Sequence, residues 1–241
     1  MLNESVNYLR NSDDWLTTVI IGGVLGLLSV FVVPTFLVLG YVMRVLRRTM
    51  RDDEEPPVFD DWGDLLVDGL KAFVVAFVYA LVPGLVALAF GVVGFFGVVG
   101  GAGADSGGLA ALGSVTILVG LLFAFVLGLV AAYVTPAALA NYAEKDRIGA
   151  GFAVGDLRPV LTSGQYATAW LTAVAVLVGA GILAGVVGAI PFLGVLLGPV
   201  AGALLGFYAT VAAYYIVGRA WGDLHEIELR EEEVSGRQPV V

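Results

Sequence analysis

The chain has 241 residues, 59% of them hydrophobic and 14% charged, with a formal net charge of −9. Soluble domains carry about 45–50% apolar and about 25% charged residues, so this balance excludes an ordinary water-soluble fold and points to a lipid environment. The lack of any cysteine excludes disulfides and thiolate metal sites, and the single histidine, His225, leaves no material for a paired-histidine site or relay.

Only Lys71 and Lys145 among the twelve basic residues are lysines. Together with the acidic excess and a Val/Ala/Gly-rich interior, this suits a protein working in concentrated salt, where screening removes most long-range repulsion between carboxylates. No basic stretch stands clear of neighbouring acids, so nucleic acid is not an expected partner.

Residues 1–15 form a polar N-terminal segment with Glu4, Arg10, Asp13 and Asp14. The apolar run that follows is too long for the core of a secretory signal and reads as a first span. Five uncharged apolar runs succeed one another: Leu16–Val42, Ala72–Val99, Ser114–Ala140, Ala167–Ile190 and Gly194–Val217. About 20 residues cross a hydrocarbon core of about 30 Å, so each is long enough. Pro83-Gly84 interrupts the second run, where a kink is expected because either half alone is too short to span. A Gly-rich loop, residues 100–108, follows the second run, and Pro191-Phe192-Leu193 makes a tight hairpin between the last two. The expected fold is therefore all-α: an integral membrane domain over residues 16–220, with about five transmembrane helices and an acidic tail over 221–241.

Under five spans, 11 of the 12 basic residues fall on one side. The positive-inside rule places those loops and the C-terminus in the cytoplasm and the N-terminus outside. Arg10 is the exception. If residues 16–47 form a re-entrant hairpin around Pro34 instead, the N-terminus lies inside and every cation agrees.

Short similarities recur along the chain. Pro34…Gly40-Tyr41 and Pro136…Asn141-Tyr142 each precede a charged stretch, then an aromatic-led segment, Phe59–Leu65 and Phe152–Leu157. Trp221-Gly222-Asp223-Leu224 repeats Trp62-Gly63-Asp64-Leu65. An even number of crossings separates the copies, which makes this a parallel internal repeat. Within residues 59–70, Phe59, Trp62, Leu65, Leu66 and Leu70 recur at helical spacing with Asp60, Asp61, Asp64 and Asp68 opposite, the pattern of an interfacial amphipathic helix. Arg44, Arg47, Arg48 and Arg51 form one stripe at i, i+3, i+4 and i+7. Contacts between that stripe and Asp60, Asp61, Trp62 and Asp64 are one reading; plain snorkelling of the arginines is the other.

The five runs hold no ionisable residue, which argues against proton coupling, voltage sensing and intramembrane acid–base chemistry. Gly194, Gly198, Gly202 and Gly206 give three successive GxxxG spacings, and Gly181 and Gly185 add one more. Such a face admits close helix packing, either between the last two spans or in a homo-oligomer. No phosphate loop, nucleophile elbow or zincin motif is present, and no cofactor or metal is expected.

The run Pro34…Gly40-Tyr41-Val42…Arg44-Val45-Leu46-Arg47, followed by Pro57-Val58-Phe59-Asp60-Asp61-Trp62-Gly63-Asp64-Leu65…Asp68-Gly69-Leu70, resembles the membrane family filed as domain of unknown function 4013. The resemblance implies an integral membrane location and a family frequent in halophilic archaea; it carries no activity or catalytic residue. The expected function is a non-enzymatic membrane scaffold or accessory subunit, contacting lipid and a membrane protein partner or a second copy. A channel or facilitator for a small neutral solute is the alternative, and an enzyme of lipid chemistry the least favoured.

Overall fold

The computed structural model describes residues 2–236. Every regular element among them is helical: α1 (Leu2–Asn7), α2 (Trp15–Leu27), α3 (Val33–Thr49), α4 (Trp62–Gly103), α5 (Gly107–Lys145), α6 (Val154–Thr162), α7 (Gly164–Gly188) and α8 (Leu193–Gly236), with short 3-10 turns at Tyr8–Asn11, Leu28–Phe31 and Ile148–Phe152. Two compact units result. One comprises the chain up to Phe73 and from Pro136 onward; the other is Val74–Thr135.

The first unit is built around α3, whose Tyr41, Val42, Met43, Val45 and Leu46 are fully buried. Tyr41 and Val45 share one core cluster with Leu65 at the start of α4 and Phe207, Val211 and Ile216 of α8. Glycines let the backbones meet: a Cβ on Gly40 would run into the Leu65 carbonyl, and one on Gly69 into that of Phe36. The pairs 40/65 and 36/69 run in opposite senses, so α3 and the first turns of α4 are antiparallel. Aromatic stacking extends this core, with Tyr41 4.4 Å from Phe59 and 5.4 Å from Phe207 between ring centroids.

Three aspartates shape the polar helix ends. Asp52, Asp61 and Asp146 adopt positive φ of 62°, 44° and 47°. Aspartate tolerates the left-handed region because its short side chain bonds locally, so it can stop or start a helix where a branched residue would be strained. Asp52 follows α3, Asp61 precedes α4 and Asp146 follows α5.

The second unit is the antiparallel hairpin of α4 and α5, zipped by glycine. A Cβ on Gly97 would come 2.8 Å from the Gly113 Cα, and one on Gly94 2.7 Å from the Gly113 carbonyl oxygen. Farther along, Gly120 backs onto Phe90, whose ring lies 6.3 Å from that of Phe123. Elsewhere its apolar side chains face outward. In the most apolar stretches of α4 and α5 only 6% of residues are buried.

Four helices among the described residues are long and apolar enough to cross a membrane: Trp62–Gly103, Gly107–Lys145, Gly164–Gly188 and Leu193–His225. A fifth arises only if Leu2–Asn11 and Trp15–Phe31, bent by 100°, are taken as one span. Two expectations are corrected here. The run Leu16–Val42 is not a single helix but two, broken at Leu28–Val32, where Val32 takes φ 36°, strained for a β-branched residue, just before Pro34 in the first turn of α3. The segment 59–70 is not a separate interfacial helix: from Trp62 it is the beginning of the 42-residue α4, which also continues through Pro83. At the other end of the chain α8 runs from Leu193 to Gly236, with Trp221 1% exposed. Arg237, one of the 12 basic residues, lies outside the described residues.

Candidate functional site: a charge cluster at the helix ends

The polar ends of α3, α4, α5 and α8 carry most of the first unit's ion pairs. Arg47 of α3 is the hub. Its guanidinium pairs with Asp68 of α4, reaches Asp146 after α5 at 3.2 Å, and donates to the Ala143 carbonyl at 3.4 Å. Burial opposes its charge, but the hydrogen bond and charge of Asp68, helped by Tyr142 and Asp146, more than offset this and raise its pKa further. A planar, five-donor group suits this position because it can serve several acceptors on separate helices at once.

Around the hub the other pairs each join two segments. Arg44 pairs with Asp60 and donates to the carbonyls of Val58 and Asp61 at 3.3 and 3.4 Å. Arg48 donates to the Glu55 carbonyl at 3.0 Å and faces Asp53 at 3.9 Å. Arg219 of α8 pairs with Asp52. Lys145 meets Asp156 of α6 at 2.6 Å, and that hydrogen bond is the main reason the Asp156 carboxyl is held below the ordinary aspartate range. Trp221 donates its indole N–H to Glu144 at 3.0 Å, and His225 stacks on the same indole at 4.7 Å.

An open cleft of about 410 Å³ lies against this cluster, lined by Arg47, Arg51, Lys71, Asp64, Asp68 and Glu144 among others. A smaller one of about 210 Å³ shares Arg47, Arg51 and Glu144 and adds Trp221 and His225. Neither Arg51 nor Lys71 has an ion-pair partner among the described residues. Both signs line the larger cleft, so it offers salt-bridge partners to a bound chain or headgroup rather than a field of one sign.

Of the expected contact residues, the structure brings Arg44 to Asp60 and to the Asp61 backbone, and Trp62 against Phe59 at 5.8 Å. Arg48 turns to its own following loop, while Arg51 and Asp64 line the cleft. Asp68, Glu144, Asp146 and Asp156 were missing from the expected contact residues. Asp68 is legible as the next turn of the Asp64 face; the other three meet their partners across 11 to 99 residues of chain, or across 77 in the case of Glu144, and no local spacing announces such contacts.

The expected glycine face divides. Gly194 and Gly198 back onto Gly188 across the α7–α8 turn, and a Cβ on Gly202 would lie 4.0 Å from the Ala184 methyl. A Cβ on Gly181, Gly185 or Gly206 would meet nothing within 4 Å. Outside this face, a Cβ on Gly40 or Gly69 would press on a backbone carbonyl still more closely than one on Gly194 does on that of Gly188.

Helices of this length with uncovered apolar flanks and a packed, charged set of ends define an all-α membrane protein. The chain matches the family described as "Protein of unknown function (DUF4013)" over residues 24–193, and it belongs to that family. No curated protein and no solved structure matches it.

Proposed function

We propose that this protein is a non-enzymatic membrane scaffold or accessory subunit. Its apolar helices hold it in the bilayer, and its polar helix ends receive a partner protein at the cytoplasmic face. The observation that carries the reading is the open cleft in which Arg51 and Lys71 stand without ion-pair partners among the described residues. Arg47, by contrast, is committed to Asp68 and Asp146 and serves as structure. A side chain without an ion-pair partner among the described residues is open to one from another chain, and charge pairs of this kind set register and specificity. The positive-inside rule assigns this end to the cytoplasm, since the basic residues concentrate here.

The test is the native mass of the complex, extracted gently from its own membranes at high salt. A heteromeric assembly is expected, and Arg51→Glu with Lys71→Glu should release the partner while leaving the thermal midpoint unchanged. A homomeric assembly that passes a neutral solute in liposomes above empty controls would overturn the proposal in favour of a channel or facilitator.

A further inference from the structure

The contacts of α2 and α3 with α8 fix their directions. Gly22 of α2 packs on Phe207, Gly23 on Leu204 and Gly26 on Ala203, so residue numbers rise in α2 as they fall in α8. On α3 the order is the reverse: Tyr41 meets Phe207, Thr49 meets Gly218 and Met50 meets Gly222. Thus α2 is antiparallel to α8, α3 is parallel to it, and residues 15–49 form a helical hairpin.

Both ends of this hairpin lie at the charged end of α8. Tyr8 packs its ring at a tilt on that of Tyr215, 4.7 Å between centroids, and donates to the Glu55 carbonyl at 3.2 Å, and Asn11 donates to that of Glu54 at 3.1 Å. Tyr208 donates to the Val6 carbonyl. Asp52, just past α3, pairs with Arg219. The segment Leu2–Asn11 lies at 100° to Trp15–Phe31, so if α2 follows the membrane normal this segment lies flat at the surface.

The tip points the other way and is apolar. Val30 is 86% exposed and Phe31 69%, and Val32 and Val33 are more than half exposed. From the tip, α2 is uncharged back to Trp15 and α3 is uncharged to Met43, the first charged group being Arg44. At 1.5 Å per residue, Val33–Met43 alone reaches about 15 Å, half of a hydrocarbon layer about 30 Å thick. It does so alongside the uncharged part of α8, which continues past Ala203 to Leu193. Side chains this apolar, at that depth beside a spanning helix, are covered by hydrocarbon.

We infer that residues 15–49 are a re-entrant helical hairpin whose tip, Val30–Val33, inserts into the bilayer from the cytoplasmic side, so that the N-terminal segment lies on the same side as the loop at 52–55. This rests on α7 and α8 being spans, as the proposed function assumes. It replaces the expected outward N-terminus and leaves Arg10 on the side of the other cations.

The cysteine-free chain permits a direct test with single surface substitutions: Asp13→Cys, Asp53→Cys, Val30→Cys and Phe192→Cys, the last in the α7–α8 turn where Phe192 is 92% exposed. With an impermeant maleimide on intact cells, only Phe192→Cys should label. In inverted vesicles Asp13→Cys and Asp53→Cys should both label and Val30→Cys should not, while a spin label at residue 30 should relax faster with oxygen than with a polar nickel chelate. Labelling of Asp13→Cys from outside would overturn the inference, as would aqueous labelling of Val30→Cys from either face. Failure of Phe192→Cys to label on intact cells would instead remove the spanning reading of α7 and α8, on which inference and function both depend.

Discussion

Nη2 of Arg47 lies 3.2 Å from Oδ1 of Asp146, joining the end of α3 to the end of α5 across 99 residues of chain. The same guanidinium holds Asp68 of α4, so three helix ends share one cation. Arg47→Ala leaves Asp68, whose side chain is 16% exposed, without its counter-charge. A loss of about 1–3 kcal/mol is expected from hydrogen bonds to half-buried charged groups. Arg47→Lys should recover only part of it, because an ammonium cannot span two acceptors in a fixed fork. Thermal unfolding in detergent, followed by tryptophan fluorescence, measures both.

The Lys145–Asp156 pair predicts an acid limb. A depressed native pKa means that the unfolded chain binds the Asp156 proton more tightly than the folded protein does. The contribution is therefore complete above the unfolded aspartate value of about 3.9 and disappears as pH falls through the lower native value. Asp156→Asn should flatten the stability profile below about pH 4 and shift the neutral-pH midpoint only slightly, as suits an exposed pair. A series of melting midpoints from pH 3 to pH 7 decides this.

Glycine substitutions should separate close packing from open space. Gly40→Ala and Gly69→Ala each place a methyl against a neighbouring backbone carbonyl, and a loss of about 1–3 kcal/mol or failure to fold is expected. In the second unit Gly113→Leu should part α4 from α5, whereas Gly128→Leu, with nothing within 4 Å, should not. Gly181→Leu and Gly206→Leu should leave the isolated chain's midpoint within about 0.5 kcal/mol of the parent's. If they change the oligomeric mass instead, that face belongs to an interface between copies. Melting midpoints and native mass read out all six variants.

Trp221 fixes α8 to the end of α5 through its indole N–H and Glu144. Trp221→Phe keeps most of the ring packing and removes the donor, so a loss of about 1.5–3 kcal/mol is expected for a hydrogen bond to a charged acceptor. Glu144→Gln should give a smaller loss, since its amide oxygen still accepts. Equal midpoints for Trp221→Phe and the parent would show that the bond adds nothing to stability.

The membrane class, the apolar stretches of the last four long helices and the absence of charge within those stretches were all legible in residue order. Hydropathy is summed over neighbours in the chain, and a lipid-facing helix is decided by that sum. The Arg44–Asp60 contact was legible too, because both partners lie on stripes with helical period and are joined by a short loop. For residues 16–42 two readings stood open, a straight span and a hairpin around Pro34, for an instructive reason. Twenty-seven uncharged residues in a row have the same hydropathy whether they run straight or fold back, and only Pro34 hinted at the break.

Composition and local periodicity thus determined by themselves that this chain is helical, lives in lipid and keeps its charges at the helix ends. Which end of each helix meets which was decided only in three dimensions. Gly22, Gly23 and Gly26 face α8 because Phe207, Leu204 and Ala203 fill the space their missing side chains leave, and Arg47 chooses Asp68 and Asp146 because both converge on its side of α3. Those contacts join residues far apart in the chain, and packing complementarity of that kind has no period to read.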